Sequence, residues 1–187
     1  MLAMGICGFA LFFLSDANDL HWGRQELRLC FPLGALLLTA ATAAECLMRE
    51  APVAGWGRAA AGAGTLLFLM LEIYALFFAL PPKASYGTPG QSRSTRVTGL
   101  YALCRHPGVL FFIPLYFGLW LTFGLSPVSG AVYALLDVLL VIYEDRRVFP
   151  AVLEGYADYQ RQVPFLFPNA GSISNCLSGQ RRKNKKQ

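Results

Sequence analysis

Two polar clusters in this chain contain side chains that could hold a small charged ligand. The first, Thr98–Pro107, contains Arg105 and His106 and leads into an apolar segment. About forty residues later, the adjacent acids Glu144 and Asp145 follow the end of another apolar segment. Arginine and histidine bind carboxylates, whereas carboxylates bind ammonium groups and sugar hydroxyls. Together the clusters predict a site for a zwitterionic ligand.

The two apolar segments between the clusters predict how the clusters meet. Gly108–Gly124 and Val128–Tyr143 are predicted membrane spans, and the short turn Leu125–Pro127 joins them. Two helices joined by so short a turn form an antiparallel hairpin, which places both clusters at the same end. The alternative is that both clusters are only the charged flanks that any membrane span carries, and charge alone does not separate the two interpretations.

The composition points to a membrane protein. The chain has 187 residues, of which 55% are hydrophobic and only 14% are charged. Soluble domains contain about 25% charged residues, so this balance argues against an ordinary soluble domain, and the low charge argues against a disordered chain. Three further spans are predicted at Met1–Leu14, Leu29–Leu47 and Arg58–Leu80. The first would reach only ~21 Å as a helix, so it is expected to be short or tilted in a hydrocarbon core about 30 Å thick.

The predicted fold is therefore all-α: a polytopic membrane protein with about five transmembrane helices, including the hairpin of spans four and five. Glu144–Val163 has apolar residues at spacings of three and four, which predicts an interfacial helix, with Pro150 marking a break or a new first turn. Pro81–Cys104 is predicted to be an exposed polar loop. A single membrane domain is expected over residues 1–168, followed by a disordered basic tail over residues 169–187.

The net charge of +5 is distributed unevenly over these spans. Only Arg49 and Arg58 fall on one side. The other side carries fourteen basic residues: Arg24, Arg28, Lys83, Arg93, Arg96, Arg105, Arg146, Arg147, Arg161, Arg181, Arg182, Lys183, Lys185 and Lys186. Basic residues concentrate on the cytoplasmic side of membrane proteins, so both clusters and the C-terminus are predicted to be cytoplasmic.

Two kinds of partner are not expected. The basic residues do not interleave with aromatic residues on a polar stretch, which argues against binding of nucleic acid. The five cysteines form no CxxC pair, and the two histidines, His21 and His106, have no second ligand at metal spacing. A metal site is therefore not predicted.

The order of residues around the clusters resembles a known family. The matching positions, in chain order, are Gly99, Tyr101, Arg105-His106-Pro107, Glu144-Asp145, Tyr156, Tyr159, Val163-Pro164 and Pro168. With the hairpin between the blocks, this pattern resembles the isoprenylcysteine carboxyl methyltransferases and their phospholipid methyltransferase relatives over residues 98–168. The resemblance implies an integral-membrane enzyme that uses S-adenosylmethionine at the cytoplasmic face. Its partners would be membrane lipids and a lipid-like or prenylated acceptor bearing a carboxylate, an amine or a thiol.

The resemblance also implies roles for individual residues. The cofactor would contact Tyr101, Arg105, His106, Pro107, Glu144 and Asp145. Glu144 would be the principal acidic contact, and it is the candidate catalytic base for an acceptor that must lose a proton. The chain departs from the family pattern at Val109, Val148 and Val152-Leu153, where the family has tyrosine, leucine and phenylalanine-glycine. These departures predict a pocket of different shape.

Candidate contacts to the acceptor lie in and next to the spans. Asp137 is seven residues before Glu144, on the same helical face, and Glu72 lies within the third span. Acids inside a membrane are costly and are functional candidates, although each could instead be neutralised and hydrogen-bonded to a neighbouring helix. Gly118, on the hairpin, and Arg147 complete the predicted acceptor contacts.

Two other functions stay open. Membrane sterol and steroid reductases, which use NADPH, have a similar Arg-His-Pro block and a final aromatic-proline stretch, but they are usually longer. The departures from the family pattern leave a non-catalytic scaffold or small transporter of the same fold as a third possibility.

Overall fold

The computed structural model describes residues 1–79, 93–94 and 99–184, and most of these are helical. The α-helices are α1 (Leu2–His21), α2 (Cys30–Met48), α3 (Gly55–Ile73), α4 (Pro107–Phe123), α5 (Pro127–Tyr143), α6 (Phe149–Val152), α7 (Tyr156–Gln162) and α8 (Ala170–Asn184). Short 3₁₀ turns cover Glu26–Leu29 and Gly99–Ala102, and α3 and α5 continue as π turns over Tyr74–Phe78 and Glu144–Val148. Two residue pairs, β1 (Arg93–Ser94) and β2 (Leu153–Glu154), form a parallel bridge with Arg93 opposite Leu153.

Four helical segments are long and apolar enough to cross a membrane. They are Leu2–His21, Glu26–Met48, Gly55–Phe78 and Pro127–Val152. Helix α4 is apolar and has 17 residues, as α5 does, but further helical turns extend only α5, to Val152. The chain is thus a mostly helical protein with the composition of a membrane protein.

The five long helices alternate in direction along the chain and pack around one apolar core. Helix α1 packs against α2 and α5, α3 packs against α4, and α4 packs against α5. Prolines at the first turns of α4 and α5 are compatible with helix starts, and Gly124 ends α4 in the left-handed conformation, with φ of 78°. The core consists of Phe9, Leu38, Phe112, Leu115, Tyr116, Leu125, Tyr133 and Leu140. The predicted hairpin is therefore present as α4 and α5.

Helices α1 and α2 approach each other closely at two glycines. A Cβ atom added at Gly34 would lie 2.7 Å from the carbonyl oxygen of Gly8, and one added at Gly8 would lie 2.9 Å from that of Gly34. Such small residues allow two helix backbones to touch inside a bilayer. The crossing holds α1 beside α2 and thereby fixes the position of the polar C-terminal turns of α1.

Polar side chains secure the end of the array that lies away from the two clusters. Buried Glu45 accepts hydrogen bonds from the Ser126 backbone N–H at 3.2 Å and the Ser129 hydroxyl at 2.7 Å. It therefore caps the first turn of α5 from another helix. At the neighbouring helix end, Arg58 Nε donates to the Thr122 carbonyl of α4 at 2.9 Å.

Three predicted elements differ from the structure. The first helix does not end at Leu14 but continues to His21, and its last turn is closed by Asn18, whose side chain bonds the backbone of Arg24 in both directions. The predicted interfacial helix over 144–163 is broken by extended residues 153–154 and by Gly155, at φ of 73°, rather than at Pro150. The tail forms α8, which begins where Asn169 and Ser172 bond each other's backbone. Of the predicted polar loop, residues 81–92 and 95–98 lie outside the described residues, as do 185–187 of the tail.

The glycine crossing generates a stability prediction. Gly34→Ala should lower the free energy of unfolding by about 1–3 kcal/mol, because the new methyl group meets the Gly8 carbonyl of a packed neighbour. Gly64→Ala on α3 is the matched control, since nothing lies within 4 Å of an added Cβ there. The control should be neutral or more stable by about 0.5–1 kcal/mol, from better helix propensity. Unfolding of the two purified variants in detergent measures the difference, and equal stability would contradict the packing described.

Candidate active site at the cluster end of the helices

A cavity of about 1150 Å³ lies between α2 and α3. These helices are consecutive in the chain but pack on different neighbours, α2 on α1 and α3 on α4. Helix α4 forms the wall between them and contributes lining residues from Pro107 to Phe123, which spans about 24 Å at 1.5 Å per residue. The cavity thus runs along most of the height of the helical array.

The two ends of this cavity differ in chemistry. Toward the middle and far end the lining is mostly apolar, with side chains such as Leu38, Leu66 and Leu119. The other end, at the two clusters, is lined by polar and charged residues: Ser15, Asp16, Asp19, Arg28, Tyr101, Arg105, His106 and Glu144. One continuous space therefore offers a charged end and a long apolar groove.

Arg105 and Asp145 form a buried ion pair at the charged end. Arg105 Nε and Nη2 donate to the two oxygens of Asp145 at 2.7 and 3.0 Å. Arg105 Nη1 donates to the carbonyl oxygens of Gln160 and Val163 at 3.0 and 2.7 Å. All three guanidinium nitrogens are therefore engaged within the protein, and this bidentate geometry is the strong form of the interaction.

Asp145 is held by three further side chains. The Tyr156 hydroxyl donates to Oδ1 at 2.7 Å, Gln160 Nε2 donates to Oδ2 at 3.2 Å, and His106 Nε2 lies 3.3 Å from Oδ1. Burial and the adjacent Asp145 raise the pKa of Tyr156, so its hydroxyl keeps its proton and remains a donor. Asp145 does not line the cavity. Asp145 instead joins the end of α5 to α7 and to Arg105, which precedes α4.

His106 lies between the two acids of the second cluster. Its Nδ1 is 3.7 Å from Oε2 of Glu144, and its Nε2 faces Asp145. Burial lowers the pKa of His106 while Asp145 opposes that shift, so the ring is predominantly neutral at neutral pH. The ring stacks on Phe149 with an interplanar angle of 8° and a centroid distance of 5.8 Å. A neutral imidazole with both nitrogens near carboxylates is fixed in orientation.

Glu144 and its neighbour Asp145 begin the π turn that follows α5, and their side chains face different surroundings. The Phe149 N–H bonds the carbonyl of Glu144, five residues earlier, instead of a carbonyl four residues earlier. Glu144 lines the cavity, whereas Asp145 points to α7 and Arg105. The side chain of Glu144 forms a hydrogen bond with Asp16 of α1, and two carboxyl groups can share such a bond only with a proton between them.

Asp16 is a site residue that the sequence analysis missed. Its position was assigned to a polar loop because the predicted first span ended at Leu14. The available signal was the absence of glycine or proline between Leu14 and Gly23, together with Asp16 and Asp19 at helical spacing of three. Since α1 continues to His21, both acids reach the cavity.

Tyrosines close the site from the side of the 3₁₀ turn at Gly99–Ala102. The Tyr101 hydroxyl donates to the Ala75 carbonyl of α3 at 3.2 Å, and the Tyr159 hydroxyl donates to the Tyr101 carbonyl at 2.7 Å. Both tyrosines line the cavity. Tyr101 thus connects the end of α3 to the C-terminal segment while presenting a ring to the site.

The remaining predicted site residues divide into two groups. Pro107 and Asp137 line the cavity, together with Tyr101, Arg105, His106 and Glu144. Gly118 and Arg147 do not. A Cβ atom at Gly118 would collide with the Thr65 hydroxyl of α3, so this glycine serves helix packing, and Arg147 is exposed beyond the π turn. Their role as acceptor contacts stays a prediction that the lining of this cavity does not support.

The buried ion pair generates a prediction about stability. Asp145→Asn should lower the free energy of unfolding by about 3 kcal/mol, because the guanidinium of Arg105 would lose its charge partner while buried. Asp158→Asn is the control, since it removes the exposed ion pair with Arg161, whose side chains are 70% and 79% exposed, and should change stability little. Thermal unfolding of the purified variants distinguishes them, and equal stability would contradict a structural role for the pair.

Comparison with known proteins provides no relative for this chain. No protein-family model, no curated protein and no solved structure matches it. Its function is therefore inferred from its residues and from the geometry of this cavity.

Proposed function

We propose that the chain is an integral-membrane methyltransferase that uses S-adenosylmethionine and acts on a lipid-like or prenylated acceptor. One observation carries the proposal: a single cavity about 24 Å long joins a charged end to an apolar groove. A polar cofactor and a long apolar acceptor could therefore meet inside one space. The residue pattern over 98–168 that resembles the isoprenylcysteine carboxyl methyltransferases supports the same chemistry.

The charged end fits S-adenosylmethionine in charge and shape. The cofactor carries a sulfonium, an ammonium and a carboxylate, so its net charge is positive. The carboxyl groups of Asp16 and Glu144 line this end and suit the positive groups of the cofactor, while Arg105 is engaged by Asp145. Arg28 is the other lining arginine and suits the cofactor's carboxylate. The rings of Tyr101 and Phe149 line the same end and suit the flat adenine.

When bound, the cofactor supplies a methyl group on a positively charged sulfur, so the protein mainly has to bind and orient the reactants. The ion pair of Arg105 and Asp145 holds the loop before α4 against α7. That contact fixes His106 beside Glu144. Glu144 is the acid of the second cluster that lines the cavity, and it is one candidate base for an acceptor that has a proton to lose.

The proposed membrane arrangement has five spans, with α4 as the fifth and both clusters in the cytoplasm. The fourteen basic residues on the cluster side and the two on the other side support this orientation. A helix of 17 residues measures about 25 Å, close to the thickness of a hydrocarbon core.

This arrangement predicts where chemical labels react. A cysteine placed at Trp56, which is exposed in the first turn of α3, should react with an impermeant maleimide on intact cells in a background without the native cysteines. A cysteine at exposed Arg147 should react only after the cells are permeabilised. The reverse pattern, or reaction of both sites on intact cells, would rule the orientation out.

The cofactor assignment is tested by binding. His106→Ala and Glu144→Gln should each weaken binding of S-adenosylhomocysteine by about ten- to a hundredfold, the effect of losing a hydrogen bond to a charged group in a shielded site. Asp158→Asn, on the exposed surface of α7, is the control and should bind like the parent. Equilibrium binding to the purified chain in detergent gives the affinities.

The same measurement separates the alternatives. Binding of NADPH in preference to S-adenosylhomocysteine would favour a reductase. Absence of binding for both would favour a scaffold or transporter, and unchanged affinity in both variants would show that the assigned site is wrong.

A further inference from the structure

Two acids in the cavity have no role in the site described so far. Glu72 of α3 and Asp137 of α5 both line the cavity from opposite helices. Glu72 lies beside the first turn of α4, where a Cβ atom added at Gly108 would be 3.4 Å from Glu72 Oε1. The two carboxyl groups are close enough to interact electrostatically. They therefore form an acidic pair in the cavity, with Glu72 beside the first turn of α4.

This acidic pair is incompletely satisfied. Glu72 Oε2 and Asp137 Oδ2 are fully buried, and neither has a hydrogen-bond partner in the part of the chain that the structure describes. Native proteins rarely leave buried polar atoms without partners, so each such atom requires an explanation. Almost all of the Asp137 carboxyl group is enclosed by protein, yet it lines the cavity, so a molecule in the cavity could supply the missing partner.

The missing partner should be a cation. Among residues 1–79, 93–94 and 99–184, no lysine, arginine or histidine forms an ion pair with Glu72 or Asp137. Of the basic groups that line the cavity, Arg105 is engaged by Asp145, while Arg28 and His106 belong to the charged end. Acids in such an apolar setting are unfavourable without a compensating charge.

We propose that Glu72 and Asp137 bind the ammonium head group of an amphiphile whose chain lies in the apolar groove. The inference rests on the proposed function and narrows it, because it selects an amine-bearing lipid from the carboxylate, amine and thiol acceptors. An acceptor carboxylate would approach Glu72, Asp137, Glu144 and Asp16 and would be repelled by them. An ammonium group would instead be attracted and would satisfy the two buried oxygens.

The pair also accounts for the proton that amine methylation releases. The ammonium form has no lone pair, so it first gives one proton to a carboxylate of the pair. The free amine nitrogen then forms a bond to the methyl carbon as the bond between sulfur and that carbon breaks, and its electrons remain on sulfur. Loss of the positive charge on sulfur is balanced by the new positive charge on nitrogen.

Competition for a photoreactive probe tests the inference without relying on enzymatic activity. The purified full chain in dodecyl maltoside is labelled with a hexadecylamine that carries a diazirine on its chain. Hexadecylamine, hexadecanol and palmitate then compete for labelling, so that only the head group differs. Hexadecylamine should compete at a concentration about tenfold or more below that of palmitate, the ratio expected for a charged hydrogen bond in a shielded site.

Variants assign this preference to the pair. The double variant Glu72→Gln with Asp137→Asn should lose the preference for the amine, and each single variant should reduce it. Glu50→Gln is the matched control, because it removes an exposed acid at the opposite end of the helices and should retain the full preference. If the double variant does not fold, the two single variants decide the assignment.

The outcomes distinguish this inference from the proposed function. Equal competition by amine and palmitate in the parent chain, or a preference that survives in all the Glu72 and Asp137 variants, would overturn the inference. If S-adenosylhomocysteine binds but no amine preference is found, the proposed function stands and the inference is wrong. If the amine preference depends on the pair but the cofactor does not bind, the ammonium site stands and the methyltransferase assignment is wrong.

Discussion

The arrangement of the charged end depends on the buried contact between Arg105 and Asp145. Arg105 lies just before α4, and Asp145 lies just after α5, so their contact joins the two ends of the helical hairpin. The same guanidinium bonds two carbonyls at the end of α7. Three separate segments therefore meet at one cation. The bond between the His106 N–H and the Phe165 carbonyl, at 3.2 Å, continues this junction toward the last proline-rich stretch.

The ion pair between Arg105 and Asp145 determines which charged side chains remain for a ligand. Because Arg105 and Asp145 compensate each other, neither contributes its full charge to the cavity. In the part of the chain that the structure describes, the carboxyl groups that line the cavity include those of Asp16, Glu72, Asp137 and Glu144. The surrounding apolar side chains reduce the screening of these charges by water. A cavity lined in this way would favour a cation, which both the proposed sulfonium cofactor and the proposed ammonium acceptor would supply.

The sequence predicted the helices better than it predicted the site. Each long helix was located to within a few residues at most ends, since apolar runs of that length leave few alternatives. The exception was α1, because its last turns contain Asp16 and Asp19 and have the composition of a loop. In the structure Glu144 contacts Asp16, and Asn18 closes the last turn, but neither contact can be read from the sequence. The order of the motif placed Arg105, His106 and Glu144 together. It did not reveal that Asp145 faces away from the cavity, because that depends on one additional backbone residue in the turn after α5.

Helix α8 changes how the C-terminal region should be regarded. It begins at a cap formed by Asn169 and Ser172, and it packs on the 3₁₀ turn that carries Tyr101, where the Cys176 thiol lies 3.5 Å from the Gly99 carbonyl. Helix α8 thus supports the turn that forms one wall of the cavity. Shortening the protein before Cys176, or fusing a bulky reporter close behind it, would loosen that wall without changing any residue that lines the cavity.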